Sequence, residues 1–503
     1  MATLEDYRNE RLRKLEEIKA LGIDPYPAKS NRSEKIGNVI SDFEKFDGKK
    51  VTLVGRITAI RSFGKLAFVK IRDYFGEIQI FMKDEGAAQT GFLSTKQVKL
   101  LDIGDFIEAT GKIGKSQTGE ISIFANEVRL LTKTLRPLPG RDGFTNKEER
   151  YRRRYVDMNV NPEVRERMVR RSKFWQATRD FMNAHGFIEI NTPILEHTTG
   201  GADANPFVTH MDALDEDYYL RISQELPLKR LLGAGFEKVY DIGPRFRNEG
   251  VDDEHLPEHI AFESYAAYEN YEDGMKLYEE MIKYVAKETW GTLQFNVGGF
   301  EINLDQEWPR VKYADLLMEK FGVDVFNPDE AQLKKILKDN NVELAGEVSV
   351  ARMIDNVWKL IRKNSGGPYW LIHEPTSLSP LAKVDPEHPE VTQRFHPIIA
   401  GTEMGNGYSE LNDPLDQLAR FEEQQAMRDA GDSEAQMLDM DFVEMLEYGM
   451  PPACGWGNSE RNFWLLEGVT GREGVPFPLM KRRENIKDAS APDETDKAKE
   501  EKC

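Results

Sequence analysis

The chain has 503 residues and a net charge of −19, with 40% hydrophobic and 31% charged residues. A chain of this length is too long for one hydrophobic core, so two or three domains are expected. The negative charge argues against a protein that coats nucleic acid without specificity, although a local basic patch still allows a specific RNA partner. No uninterrupted apolar run reaches membrane-spanning length, so no membrane association is expected.

The two cysteines, Cys454 and Cys503, lie far apart in the sequence. Their positions do not indicate a disulfide framework, and no Cys/His cluster has the spacing of a zinc site. The first residues predict a charged amphipathic helix without the apolar centre of a secretory signal. Together these features predict a protein of the reducing cytoplasm.

The first part of the chain predicts a helical extension followed by a small β-barrel. Residues 1–46 predict two helices separated by a stop at Gly22–Pro25. Residues 47–134 change to a period of two, with glycine-bearing turns. The predicted strands cover residues 51–57, 66–72, 78–82, 106–112 and 121–131. About five short strands fit a barrel of the oligonucleotide-binding type.

An open face of such a barrel would suit a single-stranded nucleic acid. Phe68 would offer a stacking platform for a base, and Gln79 and Arg61 would read base edges. The pattern is equally consistent with Phe68 being an ordinary core residue. Both interpretations stay open from the sequence alone.

Residues 135–150 contain Pro137, Pro139 and Gly140 and predict a linker to a larger domain over residues 151–483. Gly200–Gly201 predicts a tight loop that a ligand approaches closely. Predicted helices cover residues 162–185, 225–232 and 415–430, a mostly helical insertion covers about 313–365, and another helix opens at 455–461. Predicted strands cover residues 187–190, 220–223 and 369–372, with a strand-loop pattern over 395–413. The polar, aromatic-free tail 484–503 predicts disorder.

The most informative stretch runs from Tyr240 to Tyr268. Two strand-like runs flank a long acidic loop and predict an antiparallel hairpin. Arg245 and Arg247 have the same strand parity, so their side chains share a face. A guanidinium suits phosphate because its planar fork donates two parallel hydrogen bonds. The competing interpretation is a surface Arg247 that only pairs with Glu249.

The segment FRNEG at residues 246–250, with a glutamate downstream, resembles the second signature motif of class II aminoacyl-tRNA synthetases. The segments GGADANPFVTH, RISQELPLKRL, PLAK, EMGNGYSELND and FPLMKR match in the same order. The chain thus resembles the bacterial-type class II lysyl-tRNA synthetases over nearly its whole length. The resemblance implies an α+β fold, with a six- or seven-stranded antiparallel sheet flanked by helices and an N-terminal five-stranded OB-fold barrel that binds the anticodon.

The resemblance also implies an activity: ATP-dependent conversion of L-lysine to lysyl-adenylate, and transfer of the lysyl group to the 3′ end of tRNA(Lys). The implied cofactor is Mg²⁺ and the implied assembly a homodimer. Arg247 would contact the α-phosphate of ATP and Arg461 the γ-phosphate, both as catalytic residues. The rest of the implied ATP site is Glu249 on the adenine amino group, His255 and His259. The implied lysine site is Gly201, Glu225, Glu263, Tyr265, Asn406 and Glu410. The implied metal positions are Glu403 and His396, and the implied anticodon residues are Arg61, Phe68, Gln79 and Glu120.

The glutamates of this set discriminate between substrates. An ammonium buried without a partner is costly, so carboxylates at Glu225, Glu263 and Glu410 suit lysine. An aspartyl- or asparaginyl-type synthetase would need arginine or lysine there if it bound a carboxylate. A catalytically silent RNA-binding paralogue is the alternative from another functional class. A ligase that attaches lysine to a protein is a further alternative, which the predicted barrel disfavours because such relatives lack it.

Three positions depart from the family pattern. His259 stands where the family usually has a phenylalanine that stacks on adenine. His396 stands where the family has a second metal-binding glutamate, and histidine prefers softer metals than magnesium. The third signature, usually GxGxGxDR, reads GWGNSER over residues 455–461, so its loop geometry is expected to differ.

Overall fold

The structure is a computed structural model that describes residues 3–83, 91–140, 143–250, 252–253, 255–342, 348–431 and 435–482. These residues divide into two compact units, the first consisting mainly of residues 3–150 with 155–160, the second of residues 151–154 with 161–480. The predicted tail 484–503 lies outside the described residues.

The first unit is built around a closed barrel whose strand order is β1-β2-β3-β5-β4. Its strands are β1 (Lys50–Phe63), β2 (Leu66–Arg72), β3 (Glu77–Lys83), β4 (Phe106–Lys115) and β5 (Ile121–Thr132). Every pair is antiparallel except β3 with β5. The five predicted strands are therefore confirmed.

Alternation along the barrel strands separates an apolar interior from an outer face. In β2, Ala67, Val69 and Ile71 are buried, whereas the residues between them are partly exposed. The interior set includes Leu53, Ile80 and Ile107, which are fully buried in the same core. Period-two burial of this kind is what a half-buried strand requires.

The helices of the N-terminal part are α1 (Leu4–Ala20), α2 (Ile36–Ser41) and α3 (Phe43–Phe46), with a 3₁₀ helix at Thr95–Leu100. Two further helices are α4 (Lys147–Arg152), which begins within the predicted linker 135–150, and α5 (Arg154–Val160).

The described residues of the second unit form fourteen strands in three sheets. They are β6 (Ile188–Glu189), β7 (Leu195–Glu196), β8 (Phe207–Met211), β9 (Glu216–Leu220), β10 (Lys238–Phe246), β11 (Glu258–Ala267), β12 (Gln294–Val297), β13 (Phe300–Asn303), β14 (Arg310–Lys312), β15 (Tyr369–Ile372), β16 (Arg394–Ile399), β17 (Thr402–Glu403), β18 (Asn406–Ser409) and β19 (Ala453–Ser459). The main sheet has the order β14-β15-β16-β18-β19-β11-β10-β6, with β17 paired to β16.

The main sheet has nine strands where six or seven were expected. The continuous antiparallel part, from β15 to β10, has six strands in that order. The additional strands are β14 and β6, which pair in parallel at the two edges, and the two-residue β17. Edge strands of two or three residues leave no period-two signal in the sequence, which explains the difference.

Helices cover the sheet and form the predicted insertion. They are α6 (Pro162–Ala184), α7 (Glu225–Gly233), α8 (Tyr271–Trp290), α9 (Tyr313–Phe321), α10 (Glu330–Asp339), α11 (Val350–Arg362), a 3₁₀ helix at Thr376–Leu378, α12 (Pro414–Asp429), α13 (Met440–Tyr448), α14 (Arg461–Glu467) and α15 (Gly471–Gly474). Phe174 of α6, Tyr278 and Ile282 of α8, and Trp456 of β19 meet in the largest core cluster. The insertion helices α9, α10 and α11 have a core of their own around Leu333, Val357 and Trp358.

Two predictions of secondary structure are wrong. Residues 455–459 belong to the central strand β19, and the helix begins only at Arg461. The strand predicted at 220–223 is instead β9, which ends at Leu220 and forms a hairpin with β8. In both places glycines or charged residues hide the strand pattern, and pairing with a neighbouring strand determines the conformation.

Among the described residues, no helix is long and apolar enough to cross a membrane.

Candidate active site

Two glycines of β19 open a trough in the middle of the main sheet. Gly457 pairs with Glu263 on one side and with Asn406 on the other. Gly455, two residues earlier, lies between Tyr265 and Tyr408 in the same way. A Cβ atom at Gly455 would collide with the carboxylate of Glu410 and the ring of Tyr265. The glycines therefore leave space between two walls of polar side chains.

The loop before β8 and the start of α7 close one end of the trough. Gly201 adopts a φ of +82°, and a Cβ atom there would lie 2.7 Å from Cβ of Glu225 and 2.8 Å from Oγ of Ser223. Only glycine combines this left-handed backbone with so close an approach. Glu225 opens α7 and is buried, so its carboxylate is held at the trough.

The acidic end of the trough contains a resident ammonium group that sequence analysis did not identify. Lys229 lies four residues after Glu225 on α7, and its side chain is fully buried. Its Nζ donates to Oε1 of Glu225 at 2.6 Å and forms an ion pair with Glu410. The hydroxyl of Tyr408 donates to the same Oε1 at 2.6 Å.

Glu263 is held by a second set of donors. Its Oε1 accepts from Oγ of Ser223 at 2.8 Å and lies 3.4 Å from Nη1 of Arg245, and its Oε2 accepts from the hydroxyl of Tyr265 at 3.3 Å. Three buried carboxylates thus face two cations, Lys229 and Arg245. The balance favours a ligand that brings one positive charge.

Burial shapes the protonation of this end. Burial, together with the charges of Glu225 and Glu263, raises the pKa of Glu410 to about 8 despite the nearby ammonium of Lys229. Burial also raises the pKa of Glu263, against the opposing charge of Arg245. For Lys229, burial acts to lower the pKa, but the charges of Glu225 and Glu410 outweigh it and raise the pKa. The pKa of Glu410 therefore lies where a change of pH near neutrality alters its charge.

The trough belongs to a cavity of about 510 Å³ that also has a basic end. The basic groups that line it are Arg245, Arg247, Lys359, Arg362, Arg394, His396 and Arg461. Arg394 is fixed at the boundary between the ends, because its Nε donates to Oδ1 of Asn406 at 2.8 Å and its Nη1 lies 2.8 Å from Oε2 of Glu374. The cavity can therefore accept a ligand that is cationic at one end and anionic at the other.

A smaller cavity of about 110 Å³ shares part of this lining. Arg245, Arg247, Ser459 and Arg461 line both cavities. The smaller one adds Glu249, Gly250, His255, Leu256, His259 and Trp464.

His259 is a neutral imidazole in this position. Its Nε2 accepts from Nε of Arg245 at 2.8 Å. Burial and the charges of Arg245 and Arg247 hold the pKa of His259 well below its usual range.

The chain was compared with known proteins. Residues 146–481 match the family described as tRNA synthetases class II (D, K and N), and residues 51–131 match the OB-fold nucleic acid binding domain. The chain belongs to the class II tRNA synthetases. A protein of Fervidobacterium nodosum named lysine–tRNA ligase is 42% identical over 491 residues, which are 96% of this chain and 96% of that protein. Proteins of the same name from Thermotoga maritima (43% over 489 residues; 95% of this chain, 96% of the relative) and Carboxydothermus hydrogenoformans (42% over 481 residues; 94% and 98%) are similar.

The structure of this synthetase brings most of the predicted site residues together. Those that line the larger cavity are Gly201, Glu225, Arg247, Glu263, Tyr265, His396, Glu403, Asn406 and Arg461. Glu410 is not part of the lining: it is almost fully buried, pairs with Lys229 and lies against Gly455, which does line the cavity. Glu249, His255 and His259 are apart from them, in the smaller cavity. His255 is exposed and bonds to Asp252, with 2.9 Å between its Nδ1 and Oδ2.

The altered third signature forms an anchored turn. Oε1 of Glu460 accepts from the backbone N–H of Ile260 at 3.0 Å, and Oε2 accepts from Nε of Arg171 at 2.8 Å. These bonds tie the turn that precedes Arg461 to β11 and to α6. The longer glutamate thus supports the position of Arg461 despite the altered glycine pattern.

The surroundings of Glu403 do not suit a magnesium ion held by the protein. Its Oε1 accepts from Nε1 of Trp358 at 2.7 Å and from Nη1 of Arg362 at 2.9 Å, and Nδ1 of His396 lies 3.8 Å from its Oε2. Burial acts to raise the pKa of Glu403, but His396, Arg362 and Trp358 outweigh it and lower the pKa. Magnesium requires several oxygen ligands, whereas these neighbours present nitrogen donors.

His396 likewise does not fit the predicted metal role. Its Nε2 lies 3.0 Å from Oε1 of Glu374, so the ring is held by a carboxylate on each side. In the described part of the chain, no group of three or more His, Cys, Asp or Glu is placed to hold a metal ion.

The four predicted anticodon residues lie on the outer face of the barrel or at its edge. Phe68 pairs with Arg61 of β1 and with Phe81 of β3, and the Phe68 and Phe81 ring centroids are 5.2 Å apart. Because the residues of β2 that face the core are Ala67 and Val69, the interpretation of Phe68 as a core residue is wrong. The face therefore offers a row of aromatic rings beside an exposed arginine.

Gln79 differs from its predicted exposure. It is on the expected face but only 9% exposed, and its Nε2 donates to Oγ of Ser122 at 3.1 Å. A cross-strand partner in β5 covers the amide, which the sequence of β3 alone does not show. Glu120 forms an ion pair with Lys70 at 2.8 Å at the edge of the same face.

Several important side chains were missed from the sequence. Lys229 was recognisable in principle, because a lysine four residues after a glutamate on a helix pairs with it. Tyr408 has the same strand parity as Asn406 and Glu410, so the sequence could have placed its side chain on the same face of the sheet. Arg362 and Trp358 had no such signal, because the insertion places them far in sequence from Glu403.

Proposed function

We propose that this synthetase is a lysine–tRNA ligase that activates L-lysine with ATP and transfers it to tRNA(Lys). One observation carries the choice of amino acid: three buried carboxylates face the two cations Lys229 and Arg245 at the end of the trough. A lysine side chain supplies the missing positive charge on an aliphatic stem that fits between Tyr265 and Tyr408. The names of the similar proteins support the same choice.

Activation joins the carboxylate of lysine to the α-phosphorus of ATP. A carboxylate oxygen attacks phosphorus, the bond to the β-phosphate breaks, and pyrophosphate leaves with its electron pair. Arg247 lines both cavities, where its guanidinium would donate to the α-phosphate as negative charge develops. Arg461, at the first position of α14, would hold the γ-phosphate. The chemistry depends on positioning and charge neutralisation rather than on a general base.

The smaller cavity is the proposed adenine site. Glu249 would accept a hydrogen bond from the adenine amino group, and His255 would lie beside it. The neutral ring of His259 would stack on the base in place of phenylalanine. Magnesium would enter bound to the phosphates of ATP, where it neutralises part of their charge.

In the second step, a hydroxyl of the 3′-terminal ribose of tRNA attacks the lysyl carbonyl and AMP leaves. Arg61 and Phe68 on the barrel would bind the anticodon by stacking and base contacts. Glu120 and Gln79 would border this surface. Family resemblance is the basis for proposing a homodimer and a cytoplasmic location.

ATP–pyrophosphate exchange with single amino acids tests the proposed function. Lysine is expected to support exchange, and aspartate and asparagine are not, after which tRNA(Lys) should be charged. Glu263→Gln should abolish most lysine-dependent exchange, whereas Glu216→Gln, an exposed glutamate of β9, should behave as the parent. Stronger exchange with aspartate would favour the aspartyl-type alternative, and tRNA binding without exchange would favour a silent paralogue.

A further inference from the structure

The basic end of the cavity suits a role in the activation step that rests on the proposed function. The carboxylate of Glu403 there is occupied by protein donors: Nε1 of Trp358 and Nη1 of Arg362 both reach its Oε1. Arg362 already balances the charge of this carboxylate, and a divalent cation at the remaining Oε2 would lie close to that guanidinium and to Nδ1 of His396, 3.8 Å away. The family's use of this corner for a protein-held metal therefore disagrees with the residues present.

The second metal position carries an imidazole instead of an acid. His396 is 5% exposed and lies between Glu374 and Glu403, with its Nε2 3.0 Å from the first and its Nδ1 3.8 Å from the second. Glu374 is already neutralised by Arg394, whose Nη1 lies 2.8 Å from Oε2. Each carboxylate of this corner is therefore already paired with an arginine, which opposes the binding of a metal ion.

Arg362 has donors to spare toward the cavity. It ends α11, and only 13% of its side chain is exposed. One Nη atom binds Glu403, whereas the buried Nε has no hydrogen-bond partner among the described residues. The side chain of Arg362 also lines the cavity, so its guanidinium is available to an anion bound there. A guanidinium presents a planar fork that matches phosphate oxygens.

We propose that Arg362, supported by His396, supplies the positive charge at the leaving pyrophosphate that a protein-held divalent cation would otherwise supply. In the activation step, the bond between the α-phosphorus and the bridging oxygen breaks, and the electron pair stays on that oxygen. Arg362 stabilises the resulting negative charge. The reaction then requires only the magnesium that ATP carries.

Binding of pyrophosphate without metal is the first test. Titration of sodium pyrophosphate into the full chain in EDTA should give measurable affinity, and Arg362→Gln should weaken that affinity at least tenfold. Arg362→Lys should fall between them, because lysine keeps the charge but loses the fork. The matched control is Arg179→Gln, since Arg179 forms a comparable pair with Glu189, 33% exposed, outside the cavity lining. Melting temperatures of all variants separate binding from folding.

The count of metal ions is the second test. Lysine-dependent exchange should saturate when magnesium equals ATP, and Mn²⁺ bound with a non-hydrolysable ATP analogue should number one per site. The double variant Arg362→Gln/His396→Glu should gain a second bound Mn²⁺ and need excess magnesium for exchange. Unchanged pyrophosphate affinity in folded Arg362→Gln, or two ions in the parent, would overturn the proposal. Loss of pyrophosphate affinity in Arg362→Gln without any lysine-dependent exchange in the parent would support this role for Arg362 while refuting lysine as substrate.

Discussion

The two ends of one cavity are built with opposite charge balance. At the acidic end, Glu225, Glu263 and Glu410 outnumber Lys229 and Arg245. At the basic end, Arg247, Arg362 and Arg461 line the cavity, and Oε1 of Glu403 is bonded to Trp358 and Arg362. The acidic end would therefore be balanced by the positive charge of lysine, and the basic end by the negative charge of ATP. The contrast shows that selectivity depends on the imbalance between neighbours rather than on the number of acids or bases.

The ends also differ in how the chain assembles them. The acidic end combines adjacent strands, whose register brings Asn406, Gly457 and Glu263 into one row, with Glu225 and Lys229 of α7. The basic end needs α11, which belongs to the helical insertion. We expect changes at the acidic end to affect stability and lysine binding, and changes at the basic end to affect phosphate chemistry.

The largest expected effect comes from the resident cation of the acidic end. Lys229→Met leaves Glu225 and Glu410 buried without their partner and should lower the free energy of unfolding by about 3–5 kcal/mol. Tryptophan fluorescence during denaturation will measure this, because all 7 tryptophans belong to the second unit. Lys238→Met, which breaks the more exposed pair with Glu269, should cost at most about 1 kcal/mol. If Lys229→Met and Lys238→Met lowered the free energy of unfolding equally, the acidic end would need no internal cation.

Arg247 tests the basic end. Arg247→Ala should slow lysine-dependent exchange about a hundredfold to a thousandfold, equivalent to about 3–4 kcal/mol, because a preorganised donor to the transition state is lost. Arg247→Lys should also be slow, since an ammonium lacks the planar fork. The melting temperature should be near that of the parent. A lowered melting temperature with a normal exchange rate would instead make Arg247 a structural partner.

The barrel provides a reference region without either charge imbalance. Phe68→Ala should weaken tRNA binding by about 1–3 kcal/mol, the value of one base stack, and reduce tRNA charging accordingly. Exchange should be unchanged, because neither end of the cavity is altered. Phe75→Ala removes another exposed aromatic residue of the barrel as a control and should leave charging intact. An equal loss of exchange and charging in Phe68→Ala would refute a role confined to the anticodon.

The smallest expected effect is a pH dependence at the acidic end. Below its pKa of about 8, Glu410 is protonated, so a lysine ammonium must displace a proton in order to bind. The KM for lysine should therefore fall as pH rises, by roughly fivefold, or about 1 kcal/mol, between pH 7 and pH 8, and then level off. Glu410→Gln cannot ionise and should abolish this dependence. A KM that rises over the same interval would contradict the assignment.

The same shift has a consequence for folding. Between the usual carboxyl pKa and about 8, folded Glu410 binds more protons than the unfolded chain does. Its contribution to the free energy of unfolding therefore decreases as pH rises through this interval. Lysine should raise the melting temperature more at pH 8.5 than at pH 6.5, because it compensates the ionised carboxylate.

The sequence alone determined the local elements and the family. Period-two burial predicted the five strands of the barrel, and the hairpin of β10 and β11 followed from its two apolar runs. The motif residues identified Glu225, Glu263 and Arg247 before any geometry was known. Such features depend on residues within one short window, where period and motif are directly readable.

Only the tertiary structure determined which partners surround these residues and balance their charges. It placed GWGN in the central strand, where its glycines separate Tyr265 from Tyr408, although the sequence predicted a helix there. It also brought Arg362 of the insertion onto Glu403. The net charge of a buried group depends on partners distant in sequence, because desolvation and short-range pairing act through space rather than along the chain.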